Sequence, residues 1–309
     1  MDTTDSPRPA RPTDPLADSG LVIIDKPQGL TSHDVVATTR RAMKTKKVGH
    51  AGTLDPMATG VLVTGINRGT KTLAHLVGLD KTYRATIRFG MTTTTEDAAG
   101  EETSRADASG LTRATIDELA GRFTGDIMQK PSSVSAIKIA GKRAHQRVRE
   151  GEEVDIPARP VTISRLDVVS DVRVHDGYAD VDVVVDCSSG TYIRALARDL
   201  GQAAGTGAHL GSLRRTAVGP FTIGEAITID QLEADPAVTI TIDEALARCY
   251  PRFDVSADQA RALAQGKWLD PVGLTGVHAA VGPDGKTVAL VKESGKRLAT
   301  VFVARPSTL

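Results

Sequence analysis

Apolar and polar positions alternate most clearly over Lys81–Phe89, where Tyr83, Ala85, Ile87 and Phe89 fall on one side and Thr82, Arg84, Thr86 and Arg88 on the other. A period of two marks a half-buried strand, here with one apolar and one basic face. Residues 179–187 repeat it, setting Ala179, Val181, Val183, Val185 and Cys187 against Asp180, Asp182 and Asp186. Unbroken apolar runs at 21–24 and 60–65 predict buried strands, and 134–140 and 161–174 predict two more. Helical spacing is present at Ile116, Leu119, Ala120 and Phe123 behind a Thr115 cap. Ser32 is placed to cap a helix running to about Lys44, 70–77 reads as helix, and a helix from Thr191 carries Tyr192, Leu196 and Leu200 inward until Gly201 stops it. Strands and helices interleaved at irregular spacing predict an α+β domain built on a mixed sheet.

The pattern changes near Tyr250-Pro251. A capped helix at 256–265 is followed by short strands at 277–281, 287–291 and 298–303, with turns at Pro283-Asp284-Gly285 and Glu293-Ser294-Gly295. This predicts a small β-rich domain over 251–309 beside a large one over 19–250. Residues 1–18 carry four prolines and few large apolar side chains, and read as a disordered leader. No apolar run approaches the roughly 18 residues needed to cross a bilayer, and no secretory signal precedes the fold, so a cytoplasmic protein with no membrane partner is expected. Cys187 and Cys249 lack metal-ligand spacing, so no structural zinc or other metal is expected, and Cys187 reads as a buried thiol.

Charge changes the picture twice. Lys plus Arg and Asp plus Glu number 38 each, and a zero net charge argues against a nucleic-acid binder. The distribution argues for one. Residues 40–47 (RRAMKTKK) hold five basic residues and no acid, and 138–149 (KIAGKRAHQRVR) hold five more, again without an acid. Each is a candidate phosphate-binding stripe. Residues 251–309 also lean basic, with eight Lys or Arg against five acids.

The chemistry concentrates in 47–60 (KVGHAGTLDPMATG), where glycines and Asp55-Pro56 frame a single carboxylate and present few side chains besides His50, Thr53 and Asp55. No nucleophile elbow, P-loop, HExxH or strand-linked GxGxxG is present, so neither a nucleotide cofactor nor a metal has a visible seat. The stretch Gly52-Thr53-Leu54-Asp55-Pro56, with His50 before it and Ala58-Thr59-Gly60 after it, closely resembles the catalytic motif of the TruB-type tRNA pseudouridine synthases of bacteria. Four further stretches resemble the family in order: Asp25-Lys26-Pro27-Gln28-Gly29, Lys81 to Gly90, Cys187-Ser188-Ser189-Gly190-Thr191-Tyr192-Ile193-Arg194, and Leu213-Arg214-Arg215. Together they span about two thirds of the chain. Ser132 and His145 depart from the proline and tyrosine usual in the family, and 92–97 lacks its usual T-D-T.

The resemblance implies a pseudouridine-synthase fold, with a largely antiparallel mixed sheet flanked by helices and a PUA-like C-terminal β-barrel. It implies isomerisation of the T-loop uridine (tRNA position 55) to pseudouridine by a monomer without cofactor or obligate protein partner, and an accompanying role in tRNA folding. The C-terminal domain would contact the acceptor side of the tRNA. Asp55 would act covalently, at C1′ of the ribose or C6 of the base, and Arg194 would keep it ionised. Tyr83 would stack on the flipped uracil and could remove the C5 proton, Tyr192 would close the pocket, the Leu213 backbone would contact uracil, and His50 would sit near the flipped nucleotide. On an ideal helix Tyr192 and Arg194 lie about 200° apart. Both can serve one site only if the helix starts late or they approach from different sides.

Overall fold

The computed structural model describes residues 14–132 and 156–309, with two short paired strands, Lys138–Ile139 and Lys142–Arg143, between them. Residues 1–13 of the expected leader, most of the 134–140 strand, most of the second basic stripe and His145 lie outside the described residues.

The strands that matter for the site are β1 (Gly20–Lys26), β2 (Val48–Ala51), β3 (Thr59–Ile66), β4 (Lys81–Phe89), β5 (Gly125–Gln129), β6 (Arg159–Val168), β7 (Tyr178–Cys187), β8 (Ala208–Val218) and β9 (Ile240–Thr241). The helices among them are α1 (Ser32–Ala42), α2 (Leu73–Leu76), α3 (Arg113–Arg122), α4 (Ile193–Ala204) and α5 (Ile242–Cys249). Eleven strands form one mixed sheet in the order β9-β1-β3-β8-β4-β7-β6-β5, with β2 paired to β3. Its pairs are antiparallel except β3 with β8. That parallel seam is short: Arg214 opposite Thr59 and Arg215 opposite Gly60 are its registered pairs, whereas β8 and β4 run together from Ala208–Phe89 to Val218–Lys81. The sheet is therefore two halves joined along a short edge.

The alternation read in β4 and β7 is real. Tyr83, Ala85, Ile87 and Phe89 pack with Val181, Val183 and Val185 beneath Leu196, Leu200 and Ile116 in the main core. The basic face of β4 meets the acidic face of β7: Arg88 is bidentate to Asp180, and Thr86 donates to Asp182. Asp180 thus neutralises Arg88 on the basic face of the strand.

Several boundaries move. Thr31, not Ser32, caps α1, in a reciprocal box with Asp34, and Thr112, not Thr115, caps α3. The 70–77 segment is a 3₁₀ turn followed by the single turn of α2, and 161–174 divides into β6 and Arg173–His175. Gly201 does not stop α4; it lies inside the helix where a Cβ would come within 2.1 Å of the Ala208 backbone nitrogen, and Gly205, at φ +75°, ends it.

The C-terminal unit is a four-stranded sheet of β10 (Arg252–Asp254), β11 (Val277–Val281), β12 (Thr287–Ser294) and β13 (Arg297–Val303), with α6 (Ala257–Ala264) capped by Ser256. The three expected strands are joined by a fourth, β10, parallel to β11. Closure of a barrel is not among the described pairings. Residues 14–18 are not a free leader: they form a turn whose Leu16 is buried with Ile242, Leu246, Ala279, Leu290 and Ala304. Asp14 there pairs with Lys286 and Arg305. A buried leucine is worth about 1.5–3 kcal/mol, which together with the Asp14 pairs opposes the entropy of ordering the turn. Among the described residues no helix is long and apolar enough to cross a membrane.

Candidate active site

The segment joining β2 to β3 crosses the seam, and it is held at four points. Arg215, 1% exposed, donates from Nη2 to the Gly52 carbonyl and from Nε to Val61. The Ser32 hydroxyl accepts from the Leu54 N–H at 2.9 Å and donates to the Leu54 carbonyl at 3.1 Å. Lys26, fully buried, donates from Nζ to the carbonyls of Pro27, Leu30 and Pro56, and the Gly29 N–H also reaches Pro56. Gly60, at φ +101°, lies so close to Arg215 that a Cβ would sit 2.1 Å from its carbonyl oxygen, which only glycine permits. The Asp25 to Gly29 turn and the Leu213-Arg214-Arg215 stretch are thus the clamps of the Asp55 loop.

Asp55 emerges from this frame with its side chain 40% exposed, and its Oδ2 meets Arg194 Nη2 at 3.0 Å. The Arg194 side chain is 6% exposed. Its Nη1 donates to the Thr95 carbonyl at 3.0 Å and to Ser132 Oγ at 3.2 Å, and its Nε lies 3.8 Å from Asp97 Oδ2. The unusual serine at 132 therefore supplies an acceptor that a proline could not. Helix α4 begins at Ile193, and Tyr192 is its extended cap residue, at φ −103° and ψ 110°. The late start settles the 200° conflict: Tyr192 lies off the helix and faces the same cavity as Arg194. Gln129 fixes it there, accepting from the Tyr192 N–H at 2.8 Å and donating to its carbonyl at 3.1 Å.

These groups line a cavity of about 270 Å³. Asp55, Tyr83, Tyr192, Arg194 and Leu213 all contribute, with Val77, Lys81 and Arg215 among their neighbours. His50 does not. It stands on β2, with its ring edge-on to His33 at 5.9 Å and its Nδ1 buried without a partner among the described residues. Burial holds its imidazole below the usual range, so the ring is neutral near pH 7.

Three cations were not singled out as site residues: Lys26, Lys81 and Arg215. Burial lowers the Lys26 and Lys81 ammonium groups to about 8, opposed for Lys26 by the Asp55 charge. Lys81 caps the carbonyls of Val77 and Leu79 at the cavity wall. All three stand in motif stretches, which was the available signal; their burial was not visible in the pattern. Tyr83 is 8% exposed, and burial raises its phenol above the ordinary value while the nearby Arg215 opposes the shift. At neutral pH it is a protonated ring. Cys187, by contrast, is pushed up to about 11 by burial and is an inert core thiol.

The chain matches the TruB family pseudouridylate synthase N-terminal domain over residues 40–193. It also matches the tRNA pseudouridylate synthase B C-terminal domain over 194–249 and the tRNA pseudouridine synthase II C-terminal domain over 250–305. It is 62% identical to a tRNA pseudouridine synthase B of Corynebacterium diphtheriae, over 96% of this chain and 99% of that one. With the protein of the same name from Rhodococcus jostii it shares 54% identity over 97% of this chain and 98% of that one. In structure it is similar to a chain of an archaeal box H/ACA sRNP Nop10-Cbf5 complex, with a TM-score of 0.70 at 24% identity over 96% of this chain and 89% of that chain. On these identities and spans, the chain belongs to the TruB family of pseudouridylate synthases.

Proposed function

We propose that this chain isomerises uridine to pseudouridine in tRNA, acting on the T arm as a cytoplasmic monomer, with Asp55 as the covalent catalyst. The observation that carries the reading is the 3.0 Å pair of a half-exposed Asp55 and a buried Arg194 at one cavity wall, with two tyrosines and a leucine on the others. The reaction breaks the N1 to C1′ bond, turns the base and joins C5 to C1′ with no net redox change, so the residues need to supply only a nucleophile, a shaped pocket and proton transfer. Arg194 engages Asp55 at Oδ2. That contact holds the carboxylate at the cavity wall, where the attack would start.

A uridine within a folded loop reaches this wall only if flipped out, at a cost of a few kcal/mol, recovered by stacking and hydrogen bonds in the pocket. Tyr83 is the ring placed to stack on it. Its raised pKa makes it a proton donor before it is a base, so any C5 proton it accepts must follow loss of its own, with Arg215 beside it to ease that step. Tyr192 and Leu213 close the pocket; His50 stands behind the Asp55 loop on β2, with its Nδ1 buried. The exposed basic end of α1 and the C-terminal unit offer surfaces for the rest of the tRNA, the latter on the acceptor side.

The test is incubation with unmodified tRNA and mapping of pseudouridine by position, beside Asp55→Asn. Product at the T loop is expected from the parent chain only, with a loss of at least about 10³-fold in the variant. Equal product from both would remove Asp55 from the chemistry, and product elsewhere would remove the T-arm assignment.

A further inference from the structure

Trp268 is the chain's sole tryptophan, and it is 50% exposed. It stands far from the loop of Asp55, in the segment leading from α6 to β11. A scattered apolar side chain at the surface needs no explanation. This one has a built surround. Arg297 lies over the indole with its guanidinium carbon 4.8 Å from the ring centroid. The neighbouring Leu269 exchanges both backbone hydrogen bonds with Leu298, at 3.0 and 2.8 Å, which fixes the segment to β13. Across the next strand, Lys292 pairs in register with Ala299 and Ser294 with Arg297. By the two-residue period of strands, Trp268, Arg297, Ala299 and Lys292 share one face of the sheet. The loop beyond Trp268 is tied down from the other side, where Glu293 accepts from the N–H groups of Val272, Gly273 and Leu274.

The charge around this face is one-sided, with Lys267 and Lys296 at its border outside the strands. Lys267, Lys292, Lys296 and Arg297 are exposed, and none has a carboxylate partner among the described residues. The nearby acids are Asp270 and Glu293, and Glu293 is spent on backbone. A flat aromatic ring with an arginine across it, bordered by unpaired lysines, is complementary to a stacked base with its phosphates.

We infer that Trp268 and Arg297 form a platform on which an unpaired nucleotide of the bound RNA stacks, with Lys292 and Lys296 taking the adjoining phosphates. The inference rests on the RNA substrate proposed above. The nucleotide is remote from the flipped one. The end of β13 at Phe302 meets His75 of α2, next to the cavity-lining Val77, while Arg297 is at the opposite end of that seven-residue strand. At about 3.3 Å per residue Arg297 stands about 17 Å along the strand from that contact.

A single tryptophan makes its own probe. Titration of the full chain with unmodified tRNA should quench its fluorescence, and an isolated T-arm hairpin should bind without quenching it. Trp268→Ala should weaken tRNA affinity roughly 5- to 100-fold at fixed salt, leaving the salt slope and the turnover at saturating tRNA unchanged, since no charge and no cavity residue is lost. Trp268→Phe should restore most of the affinity. Equal tRNA affinity for Trp268→Ala and the parent, or equal quenching by the hairpin, would overturn the platform while T-loop product still forms. Absence of pseudouridine from the parent chain would instead overturn the RNA reading on which it rests.

Discussion

Lys26 and Lys81 are the residues whose burial has a measurable signature. In the unfolded chain each holds its proton to about 10.5, and in the folded chain burial lowers that to about 8. Between these values the unfolded chain binds more protons, so raising the pH favours the folded state. Below about 8 both forms are charged and the full cost of the buried ammonium is paid. Unfolding free energy of the parent chain, measured by denaturant between pH 7.5 and 10, should therefore rise relative to Lys26→Met, by up to about 3 kcal/mol. A difference that stays flat would mean that Lys26 keeps its proton throughout, held by its three carbonyls. Neither lysine was legible as a site residue from the pattern of the chain, because what buries them are contacts between segments far apart in sequence, such as Lys26 with Pro56. Asp55, Tyr83 and Arg194 were singled out by resemblance of motif; periodicity alone placed Tyr83 on the apolar side of its strand and Arg194 about 200° around its helix from the inward Tyr192.

At the scale of elements, the strands of strict alternation were readable because each residue's face depends only on its neighbours. β8 was not readable, although it lies at the centre of the sheet. Register shifts between Leu210 and Ser212 and between Arg215 and Ala217 break its period of two. Helix α4 was found with its stop misplaced, since a glycine that permits close packing looks the same in sequence as one that ends a helix. The two are separable by substitution. Gly201→Ala gains about 1 kcal/mol of helix propensity but sets a Cβ 2.1 Å from the Ala208 nitrogen, backbone that cannot swing aside. The net should be a loss of about 1–3 kcal/mol, seen as a lower Tm, with activity falling because α4 carries Arg194. An unchanged or higher Tm would show that α4 and β8 part easily.

Across the whole molecule, the C-terminal unit is fastened to the catalytic one by charge as well as by packing. Arg305 bridges Asp14 and Asp243, and Arg68 donates to the carbonyls of Val303 and Ala304 at 2.6 Å. The hydrogen bond from Arg305 holds the Asp14 carboxyl well below the usual carboxylate range. A depressed folded value stabilises the protein above the unfolded value of 3.8 and is lost as the pH falls below it. Arg305→Met should cost about 1–3 kcal/mol at pH 7 by thermal melting, and the gap from the parent should narrow below pH 4. A gap independent of pH would assign the loss to packing alone. The short seam in the main sheet has its own consequence. Asp55 is supplied from the β1 to β3 side and Arg194 from the β4 to β8 side, and the residues that end the Asp55 loop, Thr59 and Gly60, are those that register the seam. The ion pair is thus a gauge of how the halves are aligned. On the proposed role of Asp55, a slip along that edge that parts the pair is expected to lower activity while leaving a protein that still melts and sediments as a folded one.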